Sequence, residues 1–304
     1  MKNSVANNQT NNNAHSCDDL DAHAVERADN WVDAMVEQSR EHPHTTTANL
    51  TPELAAALLK RNEANRVIKD NTVSRYAADM TAGRWDFNGE AIIISSDGTT
   101  NDGQHRCLAV IKSGVSVKCV FVFGVSRESR LTTDQGAQKT AGDYLAMEGV
   151  QNSNSLAASA TCIIQLERYG KFASGVNMLK PSKSEVRERV ILDTGVEASF
   201  RFIRQPGANR IAPLAILTTM HYLASQVDPH DADAFMTRLI DGSELKARDP
   251  IFVLREKLRT PALRLNRNER VKAMITAWNH WRRGREVRNL PHTIRKGEKL
   301  PELK

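Results

Sequence analysis

Asp102-Gly103-Gln104-His105-Arg106 brings a carboxylate, a glycine and two nitrogen-bearing side chains to a point where a strand is expected to turn into a helix. Before it, Ala91-Ile92-Ile93-Ile94-Ser95 is a short apolar run with β-branched residues, and Asp97-Gly98-Thr99-Thr100-Asn101 carries turn chemistry. After it, Cys107 to Lys112 reads as helix until Ser113-Gly114 stops it. A glycine at the opening of a helix lets another group approach the backbone. The unpaired first-turn N–H groups and the positive end of the helix dipole then attract anions. Arginine and histidine at that place add charge-assisted donors, so the chemistry that fits is phosphate binding. An ordinary Asp-Gly turn followed by a capped helix with polar residues on its solvent face fits the same five residues.

The elements around the motif favour the first reading. Val115 to Phe123 alternates at first and then becomes continuously apolar, as a strand does on entering the buried middle of a sheet. Upstream, Thr51-Pro52-Glu53 opens a helix, with Thr as the N-cap and Leu54, Leu58 and Leu59 on one face. A second helix runs from Asn71-Thr72 through Met80 to a stop at Gly83, and Trp85 is expected to plug the core between helix and strand. From about residue 150 the pattern changes to helices without strands: Leu156–Tyr169, one opening at Pro181-Ser182-Lys183-Ser184-Glu185, Ile211–Val227, Asp231–Ile240, Ile251–Leu258 and Asn268–Arg283. The last carries Val271, Met274, Ile275, Trp278 and Trp281 on one face, which makes the two tryptophans core anchors rather than a base-stacking platform. There is no internal repeat.

Hydrophobic content of 40% and charged content of 26% are those of an ordinary globular chain of 304 residues. No stretch has the apolar length of a membrane span, and the polar N-terminus does not read as a signal peptide, so a cytoplasmic protein is expected. The four cysteines, at 17, 107, 119 and 162, lack metal-ligand or paired spacing and are expected to be reduced, with Cys107 and Cys119 in the core. Charge is unevenly spread. Residues 1–50 carry three Lys/Arg against eight Asp/Glu, whereas residues 245–304 carry 17 against six, a net of +11. Such a basic C-terminal portion is the footprint expected of nucleic-acid contact, and equally of a solvated basic surface.

From Ala64 to Asp143 the chain resembles the ParB/sulfiredoxin-like superfamily, in particular its phage and mobile-element branch with an Asp-Gly-Gln-His-Arg motif. The matching pieces come in order: Asn65-Arg66-Val67-Ile68, Asp79 to Trp85, Ile92-Ile93-Ile94, Asp102 to Arg106, Ser113-Gly114, Thr133-Asp134-Gln135-Gly136 and Lys139-Thr140-Ala141-Gly142-Asp143. Ala277-Trp278-Asn279, Trp281-Arg282 and Lys296-Gly297-Glu298 resemble closing pieces of the same branch. The resemblance implies an α/β (α+β) ParB/sulfiredoxin-like domain followed by an all-α domain. The expected boundaries are 1–45 for a largely disordered acidic and polar arm, in which Trp31, Val32, Met35 and Val36 suggest one short amphipathic helix, 46–148 for the α/β domain, 149–284 for the helical domain and 285–304 for a basic tail. It also departs from the superfamily: Gln104 stands where sulfiredoxins have their nucleophilic cysteine, and no helix-turn-helix signature follows.

In that superfamily the turn holds phosphates, which makes Gly103 to Arg106 the cradle of a nucleoside triphosphate. Asp102 would cap the helix or hold Mg²⁺ that arrives with the nucleotide. Arg66, Lys139 and Thr140 would close over the nucleotide from the other side, with Glu90 or Asp134 as the carboxylate that deprotonates an acceptor hydroxyl. Arg282, Arg283, Arg285 and Arg288 would contact DNA. The expected function is therefore a nucleotide-binding, DNA-associated protein with NTPase or phosphotransfer activity, in which a homodimer is allowed. Two alternatives stay open: a non-enzymatic DNA-binding regulator whose turn grips a DNA phosphate, and a kinase of a small molecule or modified base. No acidic cluster has the two-metal spacing a nuclease wants.

Overall fold

Alternation in the Val/Phe run sets the first half of the structure. In the computed structural model, which describes residues 20–63, 65, 67–131, 139–172, 178–295 and 298–304, contacts divide the chain into Met1–Gly136 and Ala137–Lys304. In the first unit β1 (His44–Leu50), β2 (Ala91–Ser95), β3 (Thr100–Asp102) and β4 (Val117–Val125) form a four-stranded sheet in the order β1-β4-β2-β3. Val117, Cys119, Phe121 and Phe123 of β4 point into the core, while the intervening residues lie on the other face. β2 and β4 are parallel, which requires a crossover, and α4 (Gln104–Ser113) supplies it. The strand–motif–helix–strand succession expected from sequence is therefore present.

The core side of the sheet is packed by α4 together with α1 (Ala22–Gln38), α2 (Pro52–Lys60) and α3 (Asp70–Thr81). Thr51 caps α2 as expected, its hydroxyl accepting from Leu54 N–H. Trp85 packs edge-on against Tyr76 with ring centroids 4.9 Å apart, tying α3 to the entry of β2. The expectation of a largely disordered arm over 1–45 needs correction from Ala22 onward, where the short helix expected around Trp31 to Val36 is a longer one. α1 is a full helix capped by Asp21, and it inserts Val32 into the core and sets Trp31 edge-on to Phe121 and Phe123 at 5.6 and 5.8 Å. β1 was not visible in the apolar pattern because five of its seven residues are polar.

The second unit is helical throughout its described residues: α5 (Ala141–Met147), α6 (Ser153–Tyr169), α7 (Lys183–Leu192), α8 (Thr194–Ile203), α9 (Leu214–Ser225), α10 (Pro229–Asp241), α11 (Pro250–Arg259) and α12 (Arg267–Trp281). α5 shares a small core with α6, α7 and α8 through Leu145, Leu156, Val186 and Phe200, which is why the division falls before it and not at 148. The larger core gathers Leu217, Met220, Phe235 and Trp278, all fully buried, with Trp281 packed at its margin. No helix among the described residues is long and apolar enough to cross a membrane.

The C-terminal segment is not a free basic tail in this structure. Leu290 is buried, Trp278 Nε1 donates to the Lys304 carbonyl at 3.1 Å, and Asn279 exchanges hydrogen bonds with Glu302 and Lys304 at 2.7 and 2.8 Å. Lys272 binds the Thr293 carbonyl at 2.7 Å and pairs with Glu298. The segment is a strap laid along α12, and its arginines project from an ordered surface.

One buried group gives this unit an acid sensitivity. His221 on α9 stacks on Phe202 at 4.5 Å between ring centroids and contacts Asp233 at 2.8 Å. Burial lowers its pKa, with Asp233 acting in the opposite sense. The unfolded chain therefore takes up a proton at this residue at a higher pH than the native state, so native stability declines as pH falls below about 6.5. Urea unfolding midpoints measured between pH 7.5 and 5.5 should fall less steeply in His221→Gln than in the wild type; equal slopes would remove His221 as a source of the effect.

Candidate functional site

The motif is positioned by a close approach of helix to strand. Gly103 is the N-cap of α4 with φ of +115°, and a Cβ built there would lie 3.0 Å from two carbons of Ile92 on β2. Glycine is thus required twice, for the backbone conformation and for the contact. Gly103→Ala is expected to destabilise the protein by about 3 kcal/mol, from left-handed strain plus overpacking. Chemical denaturation measures this; a loss under about 1 kcal/mol would mean that the α4–β2 contact yields easily.

The three side chains that follow are buried, and each ties down a different segment. Gln104 Oε1 accepts from Asn62 Nδ2 at 3.1 Å. His105 Nε2 accepts from the Lys69 N–H at 3.0 Å, so in the neutral ring Nδ1 carries the proton. Lys69 is the N-cap of α3 and makes no side-chain cap bond of its own, so the imidazole helps to fix where α3 begins. Arg106 Nη1 donates to the Glu90 carbonyl and Nη2 to the Ala91 carbonyl at 3.1 Å, clamping the entry of β2 to the first turn of α4. Its guanidinium also opposes the effect of burial on two neighbouring thiols. Burial pushes Cys107 up to about 12 and raises Cys119, and Arg106 pulls both the other way. Cys107 is therefore a thiol at neutral pH and no nucleophile, consistent with its expected inward position.

A polar network that the sequence did not disclose surrounds the turn. Asn65 Nδ2 donates to the Thr100 carbonyl at 2.7 Å. Arg127, in the 3₁₀ turn Arg127–Leu131 after β4, donates to the same carbonyl at 2.9 Å, to Asn101 Oδ1 at 2.7 Å and to the Glu63 carbonyl. Arg127 carried no local signal, because its partners lie 26 to 64 residues away. Asp102 ends β3, half-buried and opposite Ile93. Glu90 is exposed and meets the site through its main-chain carbonyl.

Of the other expected site residues, Arg66 and Asp134 lie outside the described residues. Lys139 and Thr140 belong to the second unit, where Thr140 forms a capping box with Asp143 at the start of α5. Among the described residues no three His, Cys, Asp or Glu side chains gather as a metal site. Among the described residues, the carboxylate that lies beside the amino end of α4 is that of Asp102.

The four C-terminal arginines are not equivalent. Arg282 pairs with Asp231 at 2.7 Å and Asp228 at 3.7 Å and lies over the Trp278 ring, so it ties α12 to the start of α10. Past it the chain turns at Gly284 (φ +61°), and Arg285 N–H returns to the His280 carbonyl at 3.0 Å, closing the helix end. Arg283, Arg285 and Arg288 around this turn are exposed, and among the described residues none has an acidic partner. By sequence, residues 1–136 hold 14 Lys/Arg against 18 Asp/Glu, whereas residues 137–304 hold 28 against 18. Positive charge is thus concentrated in the helical unit. Comparison of the chain with family models, curated proteins and solved structures finds no match.

Proposed function

We propose that this is a DNA-associated protein of ParB/sulfiredoxin-like kind, whose helical unit holds the DNA backbone and whose α/β unit binds a nucleoside triphosphate, with Mg²⁺, at the Asp102–Arg106 turn. The observation that carries the proposal is the turn of Arg283, Arg285 and Arg288, three exposed guanidinium groups that have no acidic partner among the described residues, on a unit of net charge +10. Cations left unpaired in this way release counterions when they meet phosphates, which is the main source of DNA affinity. The nucleotide half rests on Gly103 and the amino end of α4, supported by the resemblance. NTPase or phosphotransfer activity at the turn belongs to this reading, with Glu90 and Asp134 as the candidate bases.

The internal engagement of Arg106 favours a second reading, a non-enzymatic regulator in which the turn grips a DNA phosphate through its main chain. A guanidinium bonded to two carbonyls is not at hand to neutralise a transferring phosphoryl group. Calorimetric titration with each of the four ribonucleoside triphosphates and Mg²⁺ separates the two. Micromolar binding of one nucleotide supports the nucleotide-driven form. DNA binding that is steeply salt-dependent and indifferent to every nucleotide would leave the regulator.

A further inference from the structure

The two edges of the sheet are finished differently. At β3 the edge is closed: Thr100 N–H donates to the Arg61 carbonyl at 3.0 Å, and Asn65 and Arg127 donate to the Thr100 carbonyl. At β1 the ladder to β4 runs unbroken from His44↔Phe123 to Leu50↔Val117, and among the described residues no other hydrogen bond reaches any of its seven residues. Open edges are normally blunted by lysine, proline, a bulge or a covering loop. His44-Thr45-Thr46-Thr47-Ala48-Asn49-Leu50 has no lysine, no proline and no carboxylate, and its register with β4 contains no bulge. Alternate N–H and C=O groups along it therefore point away from β4 and, among the described residues, meet no partner, which places them to pair with another strand.

We infer that β1 is the seam of a symmetric homodimer, in which it pairs antiparallel with β1 of a second copy about Thr47 and joins the two sheets into one. Self-pairing suits this strand. Centred on Thr47, the ladder sets Thr47 against its own counterpart, Thr46 against Ala48 and Thr45 against Asn49, so no like charges oppose and hydroxyl and amide groups face one another. Pairing about a residue keeps each exposed side chain (Thr45, Thr47, Asn49) on the same face in both copies, as the pleat demands. A second copy is a better occupant than a charged peptide, because the strand has no charge with which to select one. A dimer also carries two basic units on one particle, which raises the charge available to a DNA backbone.

The two-fold gives the test. Because Thr47 would face its own counterpart and its side chain is exposed, Thr47→Lys and Thr47→Asp each oppose like charges at the seam without disturbing the fold. Sedimentation equilibrium of the full chain should show a wild-type dimer. Each variant should dissociate with a Kd raised about tenfold or more, from two charges held near 5 Å at the surface. An equimolar mixture of the two should recover the dimer by forming Lys–Asp pairs. Circular dichroism checks that both variants fold. A wild type that stays monomeric at tens of micromolar, variants that dimerise as tightly as wild type, or a mixture that fails to recover would each overturn the seam.

Discussion

Replacing Arg283, Arg285 and Arg288 together with glutamine is expected to weaken binding to duplex DNA by about a hundredfold near physiological salt while leaving the unfolding midpoint unchanged. The three side chains are exposed and take part in no ion pair among the described residues, so the native state loses little with them. Each phosphate contact contributes about 0.9 to the slope of log K against log salt, so the triple variant should lower the magnitude of that slope by about 2.7. Both numbers come from one fluorescence-anisotropy series on wild type and variant across salt concentrations. The loss should be similar for unrelated sequences, because backbone contacts position a protein without reading bases. Arg282→Gln should behave differently. It breaks the pairing with Asp231 and Asp228 and so lowers stability, with a smaller effect on the salt slope.

The largest stability effect is expected at Arg106. Arg106→Met keeps much of the aliphatic volume but leaves the Glu90 and Ala91 carbonyls at the entry of β2 without their donors. Two charge-assisted bonds lost inside the protein correspond to about 3–5 kcal/mol, a large fraction of the stability of a domain. Urea unfolding reads this directly, as a fall in the midpoint at unchanged slope. A midpoint within experimental error of wild type would mean that the clamp contributes nothing and that the guanidinium is free for a ligand. The distinction matters for any binding study of this variant. Loss of nucleotide binding in Arg106→Met is interpretable only where the protein is shown to be folded; Asp102→Asn, at a half-buried strand end, is the better probe of the turn itself.

Much of the framework was legible in local chemistry. The Ile run, the Asp-Gly turns and the Val/Phe run predicted β2, α4 and β4. Thr51-Pro52-Glu53 and Ser182 to Glu185 marked two helix starts that the structure places there, the latter with a capping box. The elements that escaped had no local contrast to reveal them. β1 is a strand because β4 needs a neighbour on that side, and its inward face carries only Ala48 and Leu50 as apolar residues. α8 was missed although Val196, Phe200 and Ile203 recur at helical spacing, because it follows α7 with only Asp193 between them. At the turn, position was legible and orientation was not. Which way Gln104, His105 and Arg106 face is decided by Asn62, Lys69 and Glu90, partners far along the chain whose approach no spacing rule encodes.

The measurement that bears most directly on DNA contact through the helical unit is amide hydrogen exchange of the full chain with and without a short duplex. Protection on adding DNA should be concentrated at residues 282–290, where Gly284 turns the chain between the exposed Arg283 and Arg285, and it should fade as salt is raised. Protection confined to residues 20–131, or none anywhere at low salt, would contradict the assignment of the DNA surface to the helical unit.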